Sequence, residues 1–185
     1  MKLALLLIGC GLAQAATLRY WVQPCAPPES GCHPGDAELA QWAMEAWQAA
    51  SAGRLTLQKT ADHDKAHIRV NWTSGSSGLY GETRAILVDG VRGAEVFVLP
   101  TVVPPGADAL LRDAIVYVTC LHEAGHALGL THTTDFADIM YSFQYGGDIA
   151  EYFARYRRQI SSREDIRKHA GMSAHDRERL AELYP

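Results

Sequence analysis

The sequence predicts an α+β domain whose sheet contains a crossover helix. Three observations carry this: residues 17–72 read in the order strand, helix, strand, strand; Asp89-Gly90 is a turn signal between two further strand-like runs; and a long helical run starts near Asp108. With 185 residues, 48% of them hydrophobic, the chain can bury one sizeable core and is short for two, so a single domain is expected. Seventeen Lys and Arg against 21 Asp and Glu give a net charge of −4, which is not a nucleic-acid footprint.

The opening "MKLALLLIGCGLAQAA" has a basic start, an apolar run from Leu3 to about Leu12 and the small-residue pattern Ala13-Gln14-Ala15. It reads as a signal peptide over residues 1–15, because the run is too short to span a bilayer. "LIGC" at 7–10 also resembles a bacterial lipobox, which would make Cys10 a lipidated N-terminus. Either route takes the chain out of the cytosol, to a secreted, extracellular or periplasmic location, or to a lipid anchor in the cell envelope.

"TLRYWVQ" (17–23), β-branched and aromatic, is a strand ended by Pro24. "PCAPPESGCHPG" is too rich in Pro and Gly for a regular element, and in an oxidising compartment Cys25 and Cys32 would close it with a disulfide. Residues 36–53 place Leu39, Trp42, Ala43, Ala46 and Trp47 at helical spacing, with Asp36 as N-cap and Gly53 as stop. "RLTLQ" (54–58) and "HIRVNW" (67–72) are strands, "TSGSSG" (73–78) is a loop, and "LYGETRAILV" and "AEVFVLP" flank the turn-bearing "DGVRG". The long helix then runs from an Asp108 N-cap to about Leu128, with Cys120 as a buried, inert thiol.

The chemistry lies at the end of that helix, in "CLHEAGHALGLTH" (120–132). Residues four apart stand about 400° around a helix axis and about 6 Å along it, so His122 and His126 share a face and can share one metal ion. Glu123 lies on the neighbouring face, within reach of a water held by that ion, the general-base position of an H-E-x-x-H peptidase. On an unbroken helix His132 would point away, so the helix must stop; Gly129 is the residue that can take the left-handed conformation there. Three neutral imidazoles leave a fourth tetrahedral position open, which describes a catalytic zinc rather than a closed structural one. A bare H-E-x-x-H occurs by chance in roughly 2% of chains this long, and H-E-x-x-H-x-x-G-x-x-H in roughly five per 100,000, so the longer pattern is the informative one.

With Met140 in "TTDFADIMY", eight residues after His132, the chain resembles the metzincin metallopeptidases, and "DIMY" resembles the matrixin branch. The resemblance implies a twisted mixed sheet with an antiparallel edge strand, two long helices, a Met-turn and a small C-terminal helical subdomain. It also implies one catalytic zinc on His122, His126 and His132, Glu123 as base and Met140 as the apolar floor. An extended polypeptide would add to the edge strand "LYGETRAIL" (79–87) as substrate of a monomeric endopeptidase. The rivals are a non-catalytic zinc-binding surface or adhesion module, and an amidase acting on a non-protein amide.

Three departures from the matrixin pattern stand out. Only the signal precedes the first strand, so neither a propeptide nor a cysteine switch is expected. For a second zinc, His63, Asp64 and His67 are the nearest cluster, more simply a solvated turn, and for calcium Asp89 and Glu95 are scattered singly. Residues 142–170 are longer than the resemblance calls for. Ile149, Tyr152, Phe153, Tyr156 and Ile160 are spaced for one helix, and Ser161 with Glu164 form a capping-box pattern opening another. This segment either reshapes the pocket for the side chain after the cleaved bond or is a packed insertion with Arg155, Arg157 and Arg158 in solvent.

Overall fold

The computed structural model describes residues 15–25, 30–74 and 80–185. The expected signal peptide, with Cys10, lies outside them apart from Ala15, as do the middle of the disulfide loop and most of the 73–78 loop. Five strands, β1 (Ala16–Val22), β2 (Leu55–Lys59), β3 (Ile68–Trp72), β4 (Gly81–Val88) and β5 (Val91–Val98), form one mixed sheet in the order β2-β1-β3-β5-β4. The first three and β5 are parallel; β4 pairs antiparallel with β5 and forms an edge.

Parallel neighbours need crossovers, and α1 (Asp36–Ala50) supplies the one between β1 and β2. The register sets Tyr20 beside Ile68 and Ile68 beside Ala94, then Val22 beside Val70 and Val70 beside Val96. All six are buried, so one sheet face is continuous apolar core. That face is covered by α1 over β1 and β2 and by α2 (Ala109–Ala127) over β4 and β5, the two helices packing on each other through Trp47 and Leu121 among others. After α2 come a 3-10 turn (Phe143–Tyr145) and three helices, α3 (Ile149–Arg157), α4 (Asp165–Lys168) and α5 (Ala174–Leu183). Among the described residues no helix is long and apolar enough to cross a membrane.

Four local expectations change. The linker "DGVRG" shrinks to Asp89-Gly90, both at positive φ as in a two-residue hairpin turn whose twist matches its strands, and β5 restarts at Val91. Asp36 is not the N-cap: it is the first helical residue, and its buried carboxylate accepts from the His33 N–H and pairs with Arg112 of α2. The Ser161/Glu164 box is not formed, since the Asp165 carboxylate takes the Ser161 and Ser162 N–H groups instead. A capping box opens α5, from Ser173 and Asp176. Finally, Arg155 is not a solvated residue, because its guanidinium donates to the carbonyls of Phe136, Ala137 and Asp138.

Candidate metal centre

Asp108 caps α2 by accepting from the Leu111 N–H, and the helix carries His122, Glu123 and His126 in its last two turns. It ends in a Schellman arrangement: Gly129 N–H donates to His126 O and Leu130 N–H to Gly125 O, with Gly129 at φ +102°. The reversal returns His132 to the helix face. Its Nε2 stands 3.3 Å from His122 Nε2 and 3.1 Å from His126 Nε2, and the ligand atoms of all three lie within 4.8 Å of one another.

The outer nitrogens are fixed as well. His122 Nδ1 lies 2.6 Å from Ile139 O and His126 Nδ1 2.9 Å from Leu130 O. A carbonyl can only accept, so both rings carry their proton on Nδ1 and turn an Nε2 lone pair inward, the orientation metal ligands need. Burial first, and then the neighbouring His126, hold His122 well below the usual histidine range, at about 3; burial also lowers His126 and His132. Neutral imidazole donors at this spacing make a set able to bind zinc.

Met140 is fully buried, its thioether packed against Gly125 of the motif. Its turn is held from both sides: Thr133 N–H donates to Met140 O, Ser142 N–H to Thr133 O, and the buried Asp176 carboxylate accepts from the Ile139 N–H at 2.8 Å. Gly125, inside the motif, lets this packing happen. A Cβ there would collide with Met140 Sδ and stand 3.0 Å from Trp47 Cζ2.

Glu123 is 6% exposed and faces β4, where Thr83 Oγ1 donates to its Oε2 at 2.6 Å. Gly81 provides the space, since a Cβ there would lie 2.7 Å from Glu123 Cγ. Burial pushes the Glu123 carboxyl up to about 7, with the Thr83 hydrogen bond acting against it. These groups open into a cleft of about 790 Å³ bordered by β4 on one side and by Phe143, Ile149, Tyr152 and Phe153 on the other.

The structure therefore brings His122, His126, His132, Glu123, Gly129 and Met140 together. Cys25 and Cys32 are disulfide-bonded, with Cα atoms 5.8 Å apart, and Cys120 is free and buried, its thiol raised by burial. His63, Asp64 and His67 do not converge: His63 Nδ1 pairs with the exposed Asp64, while His67 Nδ1 accepts from the Arg19 N–H inside the sheet. Among the described residues His122, His126 and His132 are the one group of this kind placed to hold a metal ion. Sequence reasoning missed Thr83, Gly81, Asp176 and Tyr152; only the Ser173-x-x-Asp176 cap pattern was a local signal for any of them.

Fold and site together define a mixed α/β chain, with five strands and five helices among the described residues, carrying a three-histidine centre with an adjacent buried carboxylate. No family model and no curated protein matches the sequence. Among solved structures the chain is similar to archaemetzincin from Methanopyrus kandleri, with 16% identity and a TM-score of 0.45 over 96% of this chain and 98% of that one.

Proposed function

We propose that this chain is an exported, zinc-dependent endopeptidase of metzincin, matrixin-like type, its mature domain spanning residues 16–185. One observation carries the reading: three inward-facing Nε2 atoms and the Glu123 carboxylate share the floor of an open cleft flanked by an antiparallel edge strand. His122, His126 and His132 would hold zinc, which would supply Lewis acidity and make a water in the site a stronger acid, with a pKa near 7. Glu123 takes the proton of the attacking water and passes it to the leaving amine; its raised affinity for a proton suits both roles. β4 offers unpaired main-chain groups along its outer side, to which an extended peptide adds as a sixth strand.

Two of the aromatic residues lining the cleft, Tyr152 and Phe153, come from α3. This supports a role for 142–170 in selecting the side chain that follows the cleaved bond, with preference for large apolar groups. A peptide-library digest by the wild type and by Glu123→Ala tests the whole reading. Cleavage by the wild type, with Glu123→Ala retaining zinc and losing about 10²- to 10⁴-fold in rate, is the expected result. Activity surviving in Glu123→Ala refutes the mechanism. Zinc binding without cleavage of any peptide leaves a non-catalytic zinc module or an amidase.

A further inference from the structure

We propose that Tyr152, on the helix that follows the Met-turn, is a positioning residue for the ligand His122. The inference rests on the three histidines being a zinc site and does not need the site to hydrolyse peptides.

The link is one carbonyl. Ile139 O accepts from His122 Nδ1–H at 2.6 Å and from the Tyr152 hydroxyl at 2.8 Å. A carbonyl oxygen has two lone pairs, and here each has its donor. Ile139 and Tyr152 are buried, so water has little access to replace either one. The far end of the same peptide is fixed too, since Met140 N–H donates to Asp176 Oδ1 at 3.3 Å, and Ile139 N–H donates to Oδ2 of that carboxylate at 2.8 Å. The orientation of the 139–140 peptide, and with it the direction in which His122 aims Nε2, thus depends on groups delivered by α3 and α5.

Tyr152 is itself held firmly. Its ring meets Phe136, Phe143 and Phe153 edge-on, and the Arg155 guanidinium lies 4.6 Å from its centroid. Arg155 in turn grips the carbonyls of Phe136, Ala137 and Asp138, so α3 holds the turn at four successive carbonyls, 136 to 139. His126 differs: its acceptor, Leu130 O, lies only four residues on, in the turn that closes its own helix. His122 relies on a carbonyl 17 residues away, kept in place by a hydroxyl 13 residues further on. Without that hydroxyl a buried lone pair loses its donor, and the peptide is free to tilt away from the imidazole.

The test compares two identical chemical changes on one helix. Tyr156 is also buried, but its hydroxyl donates to His169 O, away from the ligands. Zinc dissociation constants are measured by chelator competition on the wild type, Tyr152→Phe and Tyr156→Phe, along with the visible absorption of the cobalt-substituted forms. Tyr152→Phe should bind zinc about tenfold more weakly and shift the cobalt spectrum, while Tyr156→Phe stays within about twofold of the wild type with its spectrum unchanged. Wild-type affinity in Tyr152→Phe overturns the proposal. Equal losses in both variants also overturn it, since the effect would then be helix stability. The readout is metal affinity, so a wild type that binds zinc and cleaves nothing would sink the peptidase reading and leave this one standing.

Discussion

Replacing Gly125 by alanine should destabilise the protein, against the usual sign of that change. In a helix interior alanine is favoured over glycine by about 1 kcal/mol, and Gly125 sits in the last two turns of α2 at an ordinary helical φ. The added methyl, however, would overlap Met140 Sδ and press on Trp47 Cζ2 at 3.0 Å. Neither neighbour can retreat: both are 0% exposed, Trp47 is tied to Leu121 O at 2.8 Å, and the Met140 backbone is held by Thr133. Overpacking of such a site costs about 1–3 kcal/mol and the propensity gain offsets about 1 of that, so the net loss reaches about 2 kcal/mol and the melting temperature falls by up to roughly 8 °C. Thermal unfolding measures the loss, and zinc titration reports whether the three histidines have moved. In a Met140→Ala background the Sδ clash is gone and only the Trp47 contact remains, so most of the penalty should disappear and the double-mutant cycle should show coupling of about 1 kcal/mol or more. A Gly125→Ala protein more stable than the wild type, or a cycle without coupling, would refute the packing argument.

Gly81→Ala tests the other close approach: a Cβ 2.8 Å from Glu123 Oε1 must displace the carboxylate, so kcat/KM should fall roughly 100-fold while zinc content is unchanged. Unaltered kinetics would mean that the position of Glu123 does not matter. Gly129→Ala places a side chain at φ +102° and should cost about 1–2 kcal/mol in denaturant unfolding, with weaker zinc binding because His132 follows the turn. His175 should titrate above the usual histidine value, because its Nδ1 is hydrogen-bonded to Asp138 at 2.7 Å and feels that charge. The sign follows from the raised pKa: the contact stabilises fully below the ordinary histidine value near 6.5, and the contribution is lost as pH rises through the folded-state pKa. An NMR titration in which Asp138→Asn leaves the His175 pKa where it was would remove this account.

The parts legible in the sequence are those whose signal is local. The 3.6-residue spacing of Leu39, Trp42, Ala43 and Trp47 marks α1, the Asp108 cap and Gly129 bracket α2, and Asp89-Gly90 marks the β4–β5 turn. Where local patterns misled, the folded chain supplied a different partner, in some cases far away in sequence and in one case next door. Asp36 has the character of an N-cap, but the Arg112 guanidinium, 76 residues away, takes its carboxylate into the core. Ser161 and Glu164 have cap spacing, yet Asp165 reaches the same N–H groups. Arg155 reads as one of three solvated cations until the fold presents it with carbonyl oxygens.

By itself the sequence determined which residues could hold a metal and that a helix must break between His126 and His132, because both follow from the fixed 100° advance per helical residue. Tertiary structure alone decided what surrounds them. That Thr83 and Gly81 would shape the setting of Glu123, that Asp176 would pin the turn over Met140, and that Tyr152 would share a carbonyl with His122 are pairings across 13 to 42 residues. No period or spacing encodes such pairs; they exist only once the sheet register and the helix packing have brought the elements together.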